Sequence, residues 1–368
     1  MKEDKAKKKI LHLLFSGLGG HGSVFFSLVE ADPQREYDYS AVFCGIEDIR
    51  EEYRNSCQRL EIPYVFVPKK RGLKPGVYGR LFRAFRKYKP DTIFLHGVSF
   101  LMPAVWYKIF NPGARIIVRD TQAHHLKSKQ EWFWFFFCLF FAKKIVLLSE
   151  ASAQGVRKKF GRLVRRDKLV IIPNGMNLSR YQPAYQRNTG EELKVGMQSR
   201  LQPIKDHPTL LRAFRNVRDR HPGTRLSLHI AGDGETMPQV RSMIDELGLQ
   251  KDVHLYGMLN EKELLDFMHN LDIYVHATFG EMMSNSIMQA MACGLPLIAS
   301  DVWGVNNMIT HEGNGLLYRE KDVEQLAGQL EEMILNQEKR IRLGSCARQF
   351  AEENYSNRVM FDRYKALY

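Results

Sequence analysis

The 368-residue chain has little of several things, and each shortage removes a class of protein. It has five cysteines, at 44, 57, 138, 293 and 346. The number is odd, the spacing is scattered, and no CxxC or Cys/His pattern appears. A disulfide framework and a structural zinc site are therefore not expected, and the thiols read as reduced and buried. No apolar run approaches the roughly 20 residues a membrane-crossing helix needs. The longest candidate, Trp132–Ala142, is half that length. The basic start MKEDKAKKKI is not followed by a signal-type apolar stretch with a cleavage site, so the chain reads as cytoplasmic. Low-complexity tracts are missing, as are a zinc finger, an RNP-like aromatic motif and a clear helix-turn-helix, which removes nucleic acid as an expected partner. No Asp-x-Asp pair is present.

Acidic residues are scarce in one half only. Residues 1–190 hold 34 Lys+Arg against 16 Asp+Glu, an excess of 18 positive charges; residues 191–368 hold 20 against 25, an excess of 5 negative ones. An anionic partner is expected to meet the first half.

Short apolar runs recur through both halves, with helical segments between them. In the first they are Ile10–Phe15, Ser40–Cys44, Tyr64–Val67, Thr92–Leu95, Arg115–Val118, Ile145–Leu148 and Leu169–Ile172. In the second they are Leu193–Gly196, Arg225–Ile230, Val253–Tyr256, Ile273–His276, Leu297–Ala299 and Gly315–Leu317. Such runs suit parallel strands covered on both faces. The expected fold is α/β: two tandem doubly wound Rossmann-like domains facing across a cleft. Residues 1–185 are expected to form an N-terminal domain and 190–355 a C-terminal one, with 356–368 a terminal helix free to cross back. The polar stretch Tyr181–Glu192 reads as the linker. Ligands of such sheets bind beyond the carboxyl ends of the strands.

Two stretches of the second half carry chemistry. Ser199–Lys205 follows a strand and precedes Asp206, a good N-cap for a helix His207–Arg220. Arg200 and Lys205 there suit a diphosphate, one as a fork and one as a point charge. Further on, Glu281 precedes Ser284-Asn285-Ser286, which should start a helix through Met291. The free amides of a helix start attract anions, whereas a carboxylate beside them is better suited to neutral hydroxyls.

Residues Glu281 to Pro296 contain Glu, seven residues, Gln289, then Ala290-Met291-Ala292-Cys293-Gly294-Leu295-Pro296. This resembles the hallmark of the retaining glycosyltransferases of family 4, of GT-B architecture. In the same order stand Gly17-Leu18-Gly19-Gly20, Pro173-Asn174-Gly175-Met176-Asn177, Arg200 with Lys205, Ala231-Gly232-Asp233-Gly234 and Val253 with Gly257, each similar to a family segment. The resemblance implies a hexosyltransferase that needs no metal or other cofactor and uses a UDP- or GDP-sugar. Its acceptor is a saccharide or lipid-linked saccharide of surface polysaccharide or lipopolysaccharide synthesis. The alternative is an epimerase or a catalytically weakened relative of the same fold. Glu281 would hold the donor sugar. Met283, Ser284 and Asn285, with Arg200 and Lys205, would hold the diphosphate in a donor-binding second domain, and Gly19 and Gly20 of an acceptor-binding first domain would let backbone approach the phosphates or the acceptor. Gln289 stands where the family has a ribose-binding Glu. A polar residue after Val118 would face the sugar; His124 is favoured, with Asp120 and His125 open. Trp303-Gly304 departs from the family's Gly-Gly.

Residues 77–88 have helical periodicity, with Arg80, Arg83, Arg86 and Lys87 off the apolar face. A second basic cluster runs from Arg157 to Lys168. An anionic membrane surface is an expected partner of this half, which would make the protein peripheral on the inner face of the cytoplasmic membrane. Glu131–Phe141, EWFWFFFCLFF, is apolar all round, so it is buried or lies at an interface.

Overall fold

A computed structural model describes residues 7–17, 20–70, 75–122, 127–184 and 192–368. The chain divides into two units, Met1–Asn177 together with Ser356–Tyr368, and Leu178–Tyr355.

The first unit is built on seven parallel strands: β1 (Lys8–Phe15), β2 (Tyr37–Gly45), β3 (Tyr64–Pro68), β4 (Thr92–His96), β5 (Arg115–Arg119), β6 (Lys144–Leu147) and β7 (Leu169–Ile171). Their spatial order is β3-β2-β1-β4-β5-β6-β7. Alternation along each strand feeds two cores. Leu11 and Leu13 of β1, Ile93 and Leu95 of β4, and Ile116 and Val118 of β5 face one core. Ile10, Leu14, Phe94 and Ile117 face the other. Four helices cover the first core: α3 (Pro75–Tyr88), α4 (Leu101–Phe110), α5 (Lys129–Phe141) and α6 (Glu150–Phe160). On the second lie α1 (Gly20–Glu30), α2 (Glu51–Arg59) and α13 (Asn357–Lys365).

The Pro173–Asn177 turn explains how α13 docks. A Cβ on Gly175 would lie 2.7 Å from Ser356 O and from Met360 Cβ, so glycine is what lets the two backbones touch. Asn357 N–H donates to Met176 O at 2.8 Å, and the Arg119 guanidinium donates to Asn174 Oδ1. Beyond the turn, Met360, Phe361 and Tyr364 are buried among Phe25, Tyr39 and Phe94.

The second unit has six parallel strands: β8 (Glu192–Gln198), β9 (Arg225–Ala231), β10 (Val253–Gly257), β11 (Ile273–His276), β12 (Leu297–Ser300) and β13 (Leu316–Tyr318), ordered β10-β9-β8-β11-β12-β13. Helices α7 (His207–Arg220), α8 (Met237–Glu246), α9 (Glu261–His269), α10 (Asn285–Ala292), α11 (Val323–Leu335) and α12 (Gln337–Tyr355) surround it. Caps set the helix starts. Asp206 accepts from Thr209 N at the head of α7, and Asn260 with Glu263 forms a capping box on α9.

All thirteen expected strands are present and parallel, which gives the doubly wound class. If α13 holds the first unit together as its packing indicates, Phe361→Ala will lower that unit's stability by about 3–5 kcal/mol in urea unfolding, with the transition of the second unit unmoved.

Candidate functional site

The order of the second sheet reverses between β8 and β11. The chain runs outward from β8 through β9 to β10, then returns to start β11 on the other side. At such a switch point the loops leaving the two strands diverge and leave room for a ligand. Here those loops are also sewn together. Asp206 N–H donates to Ala277 O at 3.0 Å, Phe279 N–H to Ile204 O at 2.9 Å, and the Thr278 hydroxyl to Ile204 O at 3.0 Å.

This seam brings four side chains into one cluster. Lys205 Nζ is ion-paired with Glu281 Oε1 and lies 3.4 Å from His276 Nε2. His276 Nε2 is 3.2 Å from Glu281 Oε1 and 3.4 Å from Ser284 Oγ. Burial alone would raise the Glu281 carboxyl, but the His276 hydrogen bond and the Lys205 charge overcome it and hold the group at about 2. Burial, followed by the Lys205 charge, lowers His276 despite the neighbouring carboxylate. The pair at neutral pH is therefore a carboxylate and a neutral imidazole whose Nε2–H donates to it. His276 is fully buried as the last residue of β11, and sequence reasoning did not single it out. A histidine closing an otherwise apolar strand was the available signal.

The Glu281 backbone is fixed from the far side. Its N–H donates to Trp303 O at 3.2 Å. A Cβ on Gly304, whose φ is +92°, would lie 1.6 Å from Glu281 O. The departure Trp303-Gly304 thus keeps a glycine at the position where the two loops touch.

Ser284 caps α10, its hydroxyl accepting from Ile287 N at 3.4 Å, while its own N–H points to the weak acceptor Met308 Sδ at 3.4 Å. The helix begins at Asn285, so its leading amides lack intrahelical acceptors. Met283 lies half-buried in the same loop. Arg200 is exposed, and among the described residues its guanidinium has no ion-pair partner; it does not join the cluster. Gln289 sits on the next turn of α10 and donates through Nε2 to the hydroxyl of buried Tyr181 at 2.9 Å. Burial pushes that phenol up to about 12. The Ala231–Gly234 turn props up the Arg200 loop. Leu201 N–H donates to Asp233 O, and a Cβ on Gly232 would lie 1.8 Å from Ser199 O.

In the first unit, Gly20 opens α1, while Gly19, His124 and His125 lie outside the described residues. Asp120 is not open to a ligand. It is buried at the end of β5 and ion-paired with Lys127 Nζ at 2.6 Å. At that sheet's own reversal, between β1 and β4, His12 Nδ1 meets His96 Nε2 at 3.1 Å. Burial, then the Arg119 charge, drives His12 down to about 3, so the charge of this buried group rests on Arg119. The sequence reading passed over all three.

Two family models match the chain, one described as Glycosyltransferase Family 4 over residues 18–180, the other as Glycosyl transferases group 1 over residues 182–350. A D-inositol 3-phosphate glycosyltransferase of Corynebacterium jeikeium is 26% identical over 192 residues, 48% of this chain and 46% of that protein. An exopolysaccharide phosphotransferase of Streptomyces coelicolor is 31% identical over 191 residues, 50% of this chain and 19% of its own length. The chain spans about half the length of the first curated relatives it matches. Among solved structures, Anabaena HepE in complex with UDP superposes with a TM-score of 0.82 at 19% identity, covering 98% of this chain and 99% of that one. At that identity the likeness shows the fold.

The Lys205–Glu281 pair sets a pH dependence. A carboxyl lowered from 4.5 to about 2 in the folded chain contributes stability that is fully present above 4.5 and is lost as pH falls through about 2. Glu281→Gln leaves Lys205 without its counter-charge and is expected to cost about 1–3 kcal/mol at neutral pH. In urea unfolding at a series of pH values, the gap between wild type and variant will be flat above 4.5 and will shrink below it.

Proposed function

The chain belongs to family 4 of the glycosyltransferases, of the GT-B fold, and on that premise we propose that it moves a hexose from a UDP- or GDP-sugar to a saccharide or lipid-linked saccharide, with retention and without a metal. The observation that carries this reading is the cluster of Lys205, Glu281, His276 and Ser284 at the reversal of the second sheet, next to the start of α10.

Each group has a part in that chemistry. Breaking the bond from sugar to diphosphate builds negative charge on the leaving phosphate. Lys205, the exposed Arg200 and the leading amides of α10 are cations and dipoles of the kind that stabilise it. Lys205 exchanges its carboxylate partner for diphosphate oxygens when the donor binds. Glu281, ionised throughout the neutral range, is then free to accept from sugar hydroxyls. Neutral His276 keeps a hydrogen bond on it and so fixes its direction. Gln289, its amide nitrogen engaged by Tyr181, offers its carbonyl oxygen to a ribose hydroxyl. The departing phosphate oxygen takes the proton of the acceptor hydroxyl, which attacks from the side the diphosphate leaves. The new bond therefore keeps the old configuration, and no pair of carboxylates at hydrolase spacing is required. HepE's UDP supports a uridine donor, and the Streptomyces relative's name supports a polysaccharide acceptor.

A thermal-shift panel of UDP, GDP and ADP tests the donor site, because a ligand held by the folded state alone at a hundred times its Kd adds about 2.7 kcal/mol. One diphosphate is expected to raise the melting temperature, and Lys205→Ala should remove that rise. No shift with any of them would overturn the reading. Glu281→Ala should keep the nucleotide shift while turnover of the matching sugar falls by roughly 100-fold, a loss of about 2.7 kcal/mol at the transition state; unchanged turnover would remove Glu281 from the mechanism.

A further inference from the structure

We propose that the outward faces of α4 and α5 form a docking surface for an anionic phospholipid bilayer. The inference names a partner for the first unit and does not depend on sugar transfer.

The amphipathic helix singled out in the sequence, α3, does not present its apolar face outward. Val77, Leu81, Ala84 and Phe85 are buried in the core, leaving Arg80, Arg83, Arg86 and Lys87 exposed. The uncovered apolar surface lies on its neighbours. On α4, Leu101, Ala104 and Val105 fill the core, while Trp106, Ile109 and Phe110 are 40%, 65% and 74% exposed. On α5, Phe135, Cys138 and Leu139 fill it, while Phe133, Phe140 and Phe141 are 55%, 55% and 42% exposed. The inward faces suffice for packing, so the outward aromatics are surplus to the fold. They are not scattered singly, as exposed apolar residues on a soluble surface usually are. Phe141 stacks on Phe137, while Phe133 meets Phe137 and Phe140 meets Phe136 edge to face. Phe110 meets Phe82 of α3, and Trp106 meets Tyr78.

Charge selects the occupant. Residues 75–168, which carry these helices, hold 19 Lys+Arg against 5 Asp+Glu. Among the described residues, the four exposed cations of α3 have no carboxylate partner; Arg80 donates to Pro68 O and Lys87 lies over the Tyr88 ring. A second copy of the chain would bring the same positive field to the same face, so self-association is opposed. Anionic headgroups are attracted to that field, and aromatic side chains settle at the boundary between headgroups and acyl chains. No helix among the described residues is long and apolar enough to cross a membrane, so the contact is one of lying on the surface.

The tryptophans supply a direct readout, since three of the four, Trp106, Trp132 and Trp134, sit on these two helices. The full chain is mixed with phosphatidylcholine vesicles, with and without phosphatidylglycerol, and followed by sedimentation and by quenching with brominated lipid. Expected are quenching, a binding preference of roughly tenfold or more for the anionic vesicles, and its loss at high salt. The double variant Phe110→Ser/Phe140→Ser changes exposed positions, so it should keep the wild-type circular dichroism and nucleotide-induced thermal shift while losing vesicle binding. Wild-type binding by that variant, equal binding to both vesicle types, or no binding at all would overturn the proposal. So would a wild-type dimer in the ultracentrifuge that the double variant breaks, which would make this face a contact between copies.

Discussion

The ion pair between Lys205 and Glu281 is the contact on which the second unit's site depends. It joins two segments 76 residues apart in sequence that are neighbours only because the sheet reverses its order between β8 and β11. Its two charges are largely withdrawn from water, with side chains 11% and 20% exposed. Such a pair is tolerated when further hydrogen bonds satisfy the carboxylate, and His276 provides one. The pair also settles an electrostatic conflict. A carboxylate beside a helix start competes with any anion meant for those amides, unless a cation travels with it. Lys205 neutralises Glu281 while no anion is present and is itself attracted to one that arrives.

Holding that pair in place requires backbones to approach more closely than side chains permit. The Glu281 loop rests on Gly304, and the Arg200 loop rests on Gly232 and Gly234, with φ of +124° and +157° at the latter two. In each case the nearest atom to an added Cβ is a backbone oxygen, which cannot swing aside as a side chain can. The glycines of the turns therefore act on the site from behind. They set the height of each loop over the sheet, and the loops set the direction of the charges.

This division accounts for what the sequence revealed. Strands and helix starts were legible because their signals are local: apolar runs between polar segments, Asp206 ahead of His207, Ser284 ahead of Asn285. Glu281, Lys205 and Ser284 were legible because the resemblance marks them one by one. Contacts across the sheet were not. Nothing near Asp120 announces that Lys127 will fold back on it, and nothing near His276 announces that Lys205 and Glu281 will both reach its ring. The buried meeting of His12 and His96 joins residues 84 apart, again across a reversal of strand order. The pattern of residues 77–88 correctly indicated an amphipathic helix, but periodicity gives the existence of an apolar face and not what covers it. The sheet covers that of α3, whereas the aromatic helix α5, apolar on every side, has more such surface than one core can take.

The two units manage charge in opposite ways. In the second, acidic and basic residues are nearly balanced and meet in pairs such as Arg220 with Glu324 and Lys339 with Glu312 and Glu332. Exposed pairs of this kind add little stability, but they leave a weak field. In the first, carboxylates are too few to match the cations, and repulsion among unmatched like charges works against a compact state. Burying the excess would cost far more than leaving it in water, so it stays on the surface, and α3 shows how: its apolar residues turn in and its arginines turn out. A surface so arranged is stabilised whenever an anion approaches, and the stabilisation grows with the number of anionic groups presented at once. A small ligand can satisfy a few of these cations, whereas an extended anionic surface can satisfy many together.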